Sequence, residues 1–288
     1  MCKLILNMAK MAPSGVRWAF NWADWNPTVE EFSYAISCIQ LDEKERLGRF
    51  VFRKDSRASL IGRLLMRKFV NEYVKVPYDK IMFTRDEGGR PILEVTPGNV
   101  AFNVSHHGRY TVLAGETKKI TLGVDVMKEE YTGGKELKEF FRIMNRNFST
   151  SEWEEIRGPV GTPQSEQIAM FCRHWALKES YVKALGVGIV VNLQKLNFKT
   201  KANLHEHELI TNTELYIDGL KQNWLFEESL LDSDHCVAVA LQENGSRPES
   251  QNVKFRKIDF AELMSNAVPL FPEDPSYSSR YFAKSEKP

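Results

Sequence analysis

The chain is 288 residues long, with 42% hydrophobic and 27% charged residues, the usage of an ordinary globular protein with room for two domains or one large one. Its 39 Lys and Arg nearly balance 38 Asp and Glu, for a formal charge of +1, so it lacks the basic excess of a general nucleic-acid binder. No stretch approaches the roughly 18 apolar residues of a membrane span, and the apolar run Leu4-Ile5-Leu6 is too short for a signal h-region.

In chain order, residues 42–57 read as a helix with Arg46, Arg49, Arg53 and Arg57 along one side. Leu60, Ile61, Leu64, Leu65, Phe69, Val70 and Tyr73 then fall near one face at helical spacing over residues 60–74. Residues 42–68 hold nine Lys or Arg against four Asp or Glu, a local basic surplus. A hairpin follows, residues 81–84 and 91–93 around Arg85-Asp86-Glu87-Gly88-Gly89-Arg90, where the glycine pair suits a tight reversal. Strands are expected at 102–108, 110–114 and 120–127. Residues 128–165 are polar, with breakers at Gly133-Gly134 and Gly158-Pro159 and a capped helix start at Ser149-Thr150-Ser151-Glu152.

A second long helix runs from about 166 to 185 and ends at Gly186 and Gly188. Further strands are expected at 192–200, 208–218, 224–228 and 235–241. From Asn244 onward the chain is rich in Ser, Pro and polar residues and reads as a peripheral tail, partly ordered and partly flexible, whose Ile258, Phe260, Leu263, Val268, Leu270 and Phe271 could dock on the body. The two halves share an order of long helix, hairpin and short strand, and residues 105–114 can be laid beside 232–240. This gives two pseudo-symmetric α/β lobes with a cleft between them, residues 1–120 and 121–243, and a tail at 244–288. Cys2, Cys38, Cys172 and Cys236 fit no zinc or C-x-x-C spacing and read as reduced cytosolic thiols.

Four features could carry chemistry. Asp125 lies inside the apolar strand Gly123-Val124-Asp125-Val126-Met127; it either faces water from an edge strand or is a buried carboxylate that needs a partner. Phe171, Trp175, Glu179 and Lys183 form an i, i+4 ladder that begins aromatic and ends charged, either a stripe leading into a cleft or a surface Glu–Lys pair. Asn103-Val104-Ser105-His106 could hold phosphate oxygens at a strand end, or be a polar turn. Arg46, Arg85 and Arg90 could fork onto phosphate. His106 and His107 point to opposite faces of a strand and make a poor metal pair. No P-loop, G-x-G-x-x-G or G-x-S-x-G is present. Two acids on separate elements, a lysine and arginines suit magnesium at a pyrophosphate.

Gly123-Val124-Asp125 with Trp175-Ala176-Leu177-Lys178-Glu179-Ser180-Tyr181-Val182-Lys183-Ala184 resembles the paired signature of Sfp-type phosphopantetheinyl transferases. The likeness extends over residues 15–277, through Gly15-Val16-Arg17-Trp18-Ala19-Phe20, Glu43-Lys44-Glu45-Arg46, Gly62-Arg63-Leu64, Phe102-Asn103-Val104-Ser105-His106 and Ala267-Val268-Pro269-Leu270-Phe271. The resemblance implies an α+β fold of two similar lobes, with coenzyme A in the cleft. It implies transfer of phosphopantetheine from coenzyme A to a serine of an acyl carrier protein, with release of adenosine 3′,5′-bisphosphate. Asp125 and Glu179 match its Mg²⁺ ligands, with Glu179 also placed as a base and Lys183 at the pyrophosphate. Arg46 matches its contact to the 3′-phosphate of coenzyme A, the strip Arg85, Asp86, Glu87, Gly88, Gly89 and Arg90 its adenine and ribose-phosphate contacts, and the run Asn103, Val104, Ser105 and His106 its phosphate-contacting strand end. The bacterial pattern has a third acid where this chain has Met127, a poor partner for Mg²⁺, so a water is expected there. The carriers implied are domains of the fatty acid synthase, aminoadipate dehydrogenase or formyltetrahydrofolate dehydrogenase type, which Arg49, Arg53 and Arg57 would steer. The remaining expectation is a cytosolic monomer with no nucleic-acid or membrane partner.

Overall fold

The computed structural model describes residues 15–94, 99–131, 134, 136–186 and 191–287. In the first half, β1 (Gly15–Asn21) leads into helices α1 (Val29–Ser37), α2 (Leu41–Gly48) and α3 (Arg53–Phe69). A hairpin of β2 (Phe83–Arg85) and β3 (Pro91–Leu93) follows, then β4 (Ala101–His107) and β5 (Tyr110–Glu116). In the second half, β6 (Thr121–Lys128) leads into α4 (Leu137–Met144), α5 (Thr150–Arg157) and α6 (Gln164–Leu185). Strands β7 (Leu196–Lys199), β8 (Glu214–Ile217), β9 (Leu220–Lys221), β10 (Leu225–Asp232) and β11 (His235–Gln242) come next. The last elements are β12 (Arg256–Lys257), α7 (Phe260–Met264) and α8 (Pro275–Phe282).

One sheet has the order β12-β1-β5-β4 and another β10-β11-β6. Their strands alternate faces, as a pleat demands. Trp18, Phe20 and Leu113 pack with α1 and α3 in one core. Cys236, Ala238 and Ala240 pack with α5 and α6 in another. Between the sheets lies a third core, where Ala19, Val112 and Ala114 meet Val124, Val126, Val237 and Val239. The fold is therefore mixed α+β in four layers, helices outside and the two sheets inside. No helix among the described residues is long and apolar enough to cross a membrane.

Three expectations change. The helix expected over 42–57 is two helices: α2 stops at Gly48, a weak helix former, and α3 begins after Phe52, whose backbone is extended at φ −107° and ψ 146°. The basic face divides accordingly. Arg46 and Arg49 are exposed, whereas Arg53 and Arg57 both ion-pair with Glu286. The segment after Asn244 docks on the body through Ile258 and Leu263 as its apolar residues allowed, but it goes further than a tail: β12 pairs in parallel with β1, and Tyr277 and Tyr281 are also buried in the core of the first half. Its apolar residues cover a face that α1 would leave wet, with Phe32 and Tyr281 stacked at 3.7 Å between centroids. The polar stretch 128–165 also contains α4, whose Leu137 and Phe141 are buried. Ser149 caps α5 in a capping box with Glu152, as its spacing foretold. Gly186 ends α6 at φ 69°; Gly133, Gly188 and Cys2 lie outside the described residues.

Candidate active site

Both sheets have an edge strand at one seam, β4 on one side and β6 on the other. An open edge leaves unpaired N–H groups that must find acceptors. Here the side chains of β4 supply them. Val124 N–H donates to Asn103 Oδ1 at 2.9 Å, and Lys128 N–H donates to His107 Nδ1 at 2.9 Å. Between these two, Ser105 Oγ donates to Asp125 Oδ1 at 2.8 Å. Asp125 is thus on an edge strand, but its carboxylate bonds across the seam and is 5% exposed.

The face of β6 that carries Asp125 lies against α6, since Gly123, Asp125 and Met127 alternate onto the same side. Contact is close because residue 123 is glycine: a Cβ there would strike the Ser180 carbonyl oxygen and the Ala184 nitrogen. The ladder on α6 then behaves as a stripe from core to cleft. Phe171 is buried and stacks on Trp175 at 6.2 Å, while Glu179 and Lys183 are half-buried. Lys183 does not turn back to Glu179. Its Nζ reaches across to Asp125 Oδ1 at 2.5 Å and to Ser105 Oγ at 2.8 Å.

The charges are poorly balanced. Asp125 Oδ2 is buried with no hydrogen-bond partner. Among the described residues nothing hydrogen-bonds the Glu179 carboxylate. Burial, then the charge of Asp125, pushes the Glu179 carboxyl above the ordinary range, with Lys183 opposing. Two carboxylates, one of them with a bare buried oxygen, form a donor set that fits a hard divalent cation such as Mg²⁺. Met127 packs into the α6-side core and supplies no oxygen. Glu129 sits by the β10–β11 turn, where its N–H donates to Asp234 O at 2.7 Å. Glu130 ion-pairs with Lys128.

Beyond the seam, a cavity of about 190 Å³ is lined by Arg63, Arg85, Arg90, Asn103, Val104 and His106, with apolar Met66 and Phe102. It adjoins the seam: enclosure by the protein, then the charges of Lys183 and Arg63, lowers the His106 pKa. The 85–90 strip turns at Gly89, φ 79°, with the Arg90 N–H donating to Asp86 Oδ1 at 2.8 Å. Arg90 Nη1 also donates to the Lys183 carbonyl at 3.2 Å, tying the hairpin to the end of α6. Glu87 and Gly88 are exposed on the turn, and Gly88 approaches the Gly186 carbonyl. Arg46 is exposed and off the cavity wall, although its charge acts on Arg63. Arg63 on this wall and Glu43, which bonds it from behind, carried no role in the sequence reading. Both stand in motifs with family likeness, but an acid and an arginine 20 positions apart give no sign of pairing.

A second group of metal-ligating side chains, Asp232, Asp234 and His235, lies on the β10–β11 turn. It already has its cation. Arg109 Nη2 bonds both aspartates at 3.1 and 3.3 Å, and the Arg109 N–H donates to His235 Nε2 at 3.1 Å. The group is a clasp between the β4–β5 turn and the β10–β11 turn.

Comparison with known proteins gives the same direction in two pieces. A family described as 4′-phosphopantetheinyl transferase, N-terminal, matches residues 23–118, and the 4′-phosphopantetheinyl transferase superfamily matches residues 121–240. The L-aminoadipate-semialdehyde dehydrogenase-phosphopantetheinyl transferase of Rattus norvegicus is 42% identical over 281 residues, 91% of this chain and 89% of the relative. That of Homo sapiens is 42% identical over 279 residues, with the same coverage. The 4′-phosphopantetheinyl transferase ffp of Bacillus subtilis is 27% identical over 177 residues, 62% of this chain and 71% of the relative.

Proposed function

This chain belongs to the 4′-phosphopantetheinyl transferase superfamily and is a phosphopantetheinyl transferase; from that premise we propose the reaction in full. The donor is coenzyme A, the acceptor is a serine hydroxyl of an acyl carrier protein domain, and the reaction is Mg²⁺-dependent. The serine oxygen bonds to the phosphorus that bears pantetheine. The bond from that phosphorus to the bridging oxygen breaks, and its electron pair leaves on adenosine 3′,5′-bisphosphate. The observation that carries this reading is the bare, buried Asp125 Oδ2 beside the Glu179 carboxylate, which nothing hydrogen-bonds among the described residues, next to an arginine-walled cavity.

Asp125 and Glu179 would hold the ion, which when bound supplies charge neutralisation at the diphosphate. Glu179 also takes the serine proton, directly or through water. Lys183, on the cleft rim beside Asp125 and Ser105, offsets charge on the departing phosphate. Arg63, Arg85, Arg90 and His106 receive the nucleotide end of coenzyme A. Exposed Arg46 and Arg49 favour an acidic carrier by long-range attraction. The carriers are of the aminoadipate dehydrogenase, formyltetrahydrofolate dehydrogenase or fatty acid synthase type, the first supported by the names of the relatives. A cytosolic monomer fits a site complete within one chain and three buried free thiols, Cys38, Cys172 and Cys236.

The test is incubation with coenzyme A, Mg²⁺ and apo carrier protein, read by intact mass. The carrier should gain one phosphopantetheine, and a carrier lacking its serine should gain none. Binding of coenzyme A without transfer to any carrier of the three types would overturn the assignment.

A further inference from the structure

The wall of the arginine cavity is built around one buried acid. Glu43, on α2, is 5% exposed. Its Oε2 accepts from Arg63 Nε at 2.7 Å and its Oε1 accepts from Arg85 Nη2 at 2.5 Å. Each arginine is also anchored at its far end. Arg63 Nη1 donates to the Ser59 carbonyl at 3.0 Å and to Ser59 Oγ at 2.7 Å, and Arg85 Nη1 donates to the Gly89 carbonyl at 2.6 Å. Three elements remote in sequence, α2, α3 and the β2–β3 hairpin, are therefore held in one geometry by one carboxylate.

Many buried ion networks are structural only, and such networks contribute little net stability. Two features set this one apart. Both guanidiniums lie on the wall of a cavity, together with Arg90, instead of facing the core. The charge is also in excess on the wall itself, since Arg63, Arg85 and Arg90 line the cavity and no acid among the described residues does. Burial raises Glu43, but Arg63 and Arg85 together outweigh it and keep the carboxyl low and ionised. An arginine fork that is already oriented loses less freedom on meeting phosphate.

We propose that Arg63 is a phosphate-binding residue and that Glu43 is the positioning residue presetting Arg63 and Arg85 for a phosphate monoester. This rests on the reading of coenzyme A as donor. Its consequence is selectivity: the 3′-phosphate is the only monoester on coenzyme A, so the pair favours coenzyme A over its 3′-dephospho form.

Calorimetric titration of the full chain with coenzyme A and with dephospho-coenzyme A, without metal or carrier, tests this. Wild type should prefer coenzyme A. Glu43→Gln should weaken coenzyme A about 10-fold to 100-fold, the loss of one charge-assisted hydrogen bond, and change dephospho-coenzyme A by less than about 2-fold. Arg63→Lys, which keeps the charge and loses the fork, should do the same if Glu43→Gln misfolds. In turnover, KM for coenzyme A should rise more than kcat falls. Unchanged selectivity in both variants would overturn the proposal alone. Tighter coenzyme A binding in Glu43→Gln would also overturn it, making Glu43 a competing anion. Wild type that binds neither donor would overturn the functional reading as well.

Discussion

The long helices of the two halves, α3 and α6, meet the same demand in different ways. Each sends one cation into the cleft and buries another to pin the chain that follows. On α3, Arg63 faces the cavity while Arg67, 1% exposed, donates to the carbonyls of Tyr78 and Ile81 and lies 4.6 Å over the Tyr78 ring. On α6, Lys183 faces the cleft while Lys178, fully buried, donates to the carbonyls of Leu193 and Leu196. Lys178 also has an acid, Glu152, at 2.9 Å, with both side chains 0% exposed. Arg67 has no carboxylate partner among the described residues. The delocalised, weakly hydrated guanidinium tolerates carbonyls and a ring alone, whereas the compact ammonium calls for an anion. Anchoring is thus a matter of whichever acceptors the following loop offers. In the proposed reaction the chemistry is divided as well: the first half provides the arginines for the nucleotide end, and the second provides the two acids together with Lys183.

That division can be broken at several points. The largest effect should come from the acids. Glu179→Gln and Asp125→Ala should each cut the rate of phosphopantetheine transfer by about 10²–10⁴, the worth of a positioned base, and leave the thermal midpoint nearly unchanged. Near-normal turnover in either would remove the acids from the second half's share. Glu152→Ala comes next. It leaves Lys178 unpaired in the core and should cost about 3–5 kcal/mol in denaturant unfolding. Arg67→Met only frees carbonyls, so its cost should be smaller, about 1–3 kcal/mol; an equal or larger cost would contradict the contrast between the two anchors. Gly123→Ala should cost about 1–3 kcal/mol by overpacking and also slow transfer, because the helix backbone must retreat from β6.

The smallest effect is a titration. In metal-free protein the Glu179 carboxyl should titrate above an ordinary glutamate, followed by carbon-13 NMR. Asp125→Asn should lower it, since it removes a like charge, but by less than burial raised it. The sign for magnesium follows. Protons and cation compete for Glu179, so Mg²⁺ affinity should fall as the pH drops through this raised value. An Mg²⁺ affinity that does not fall there would argue against Glu179 as a ligand.

Much of this was legible in the sequence, because local rules govern it. The capping box at Ser149 and Glu152 needs only four residues, and the hairpin around Gly89 needs only a glycine where φ is positive. The core-to-cleft ladder from Phe171 to Lys183 follows from helical spacing. The pairing of β12 with β1 was not legible, since two residues of strand carry almost no pattern. Nor was the union of Glu43 with Arg63 and Arg85, which lie 20 and 42 positions away.

The amino-acid sequence by itself determined the elements, their faces and the residue types able to handle phosphate, since propensity and periodicity act over a few residues. The tertiary structure alone decided which charges meet: that Lys183 bonds Asp125 and not Glu179, that Glu286 takes up Arg53 and Arg57, and that one acid presets two arginines. The physical reason is range. An ion pair is fixed by distance in space and by removal from water, and neither quantity is written in the order of residues along a chain.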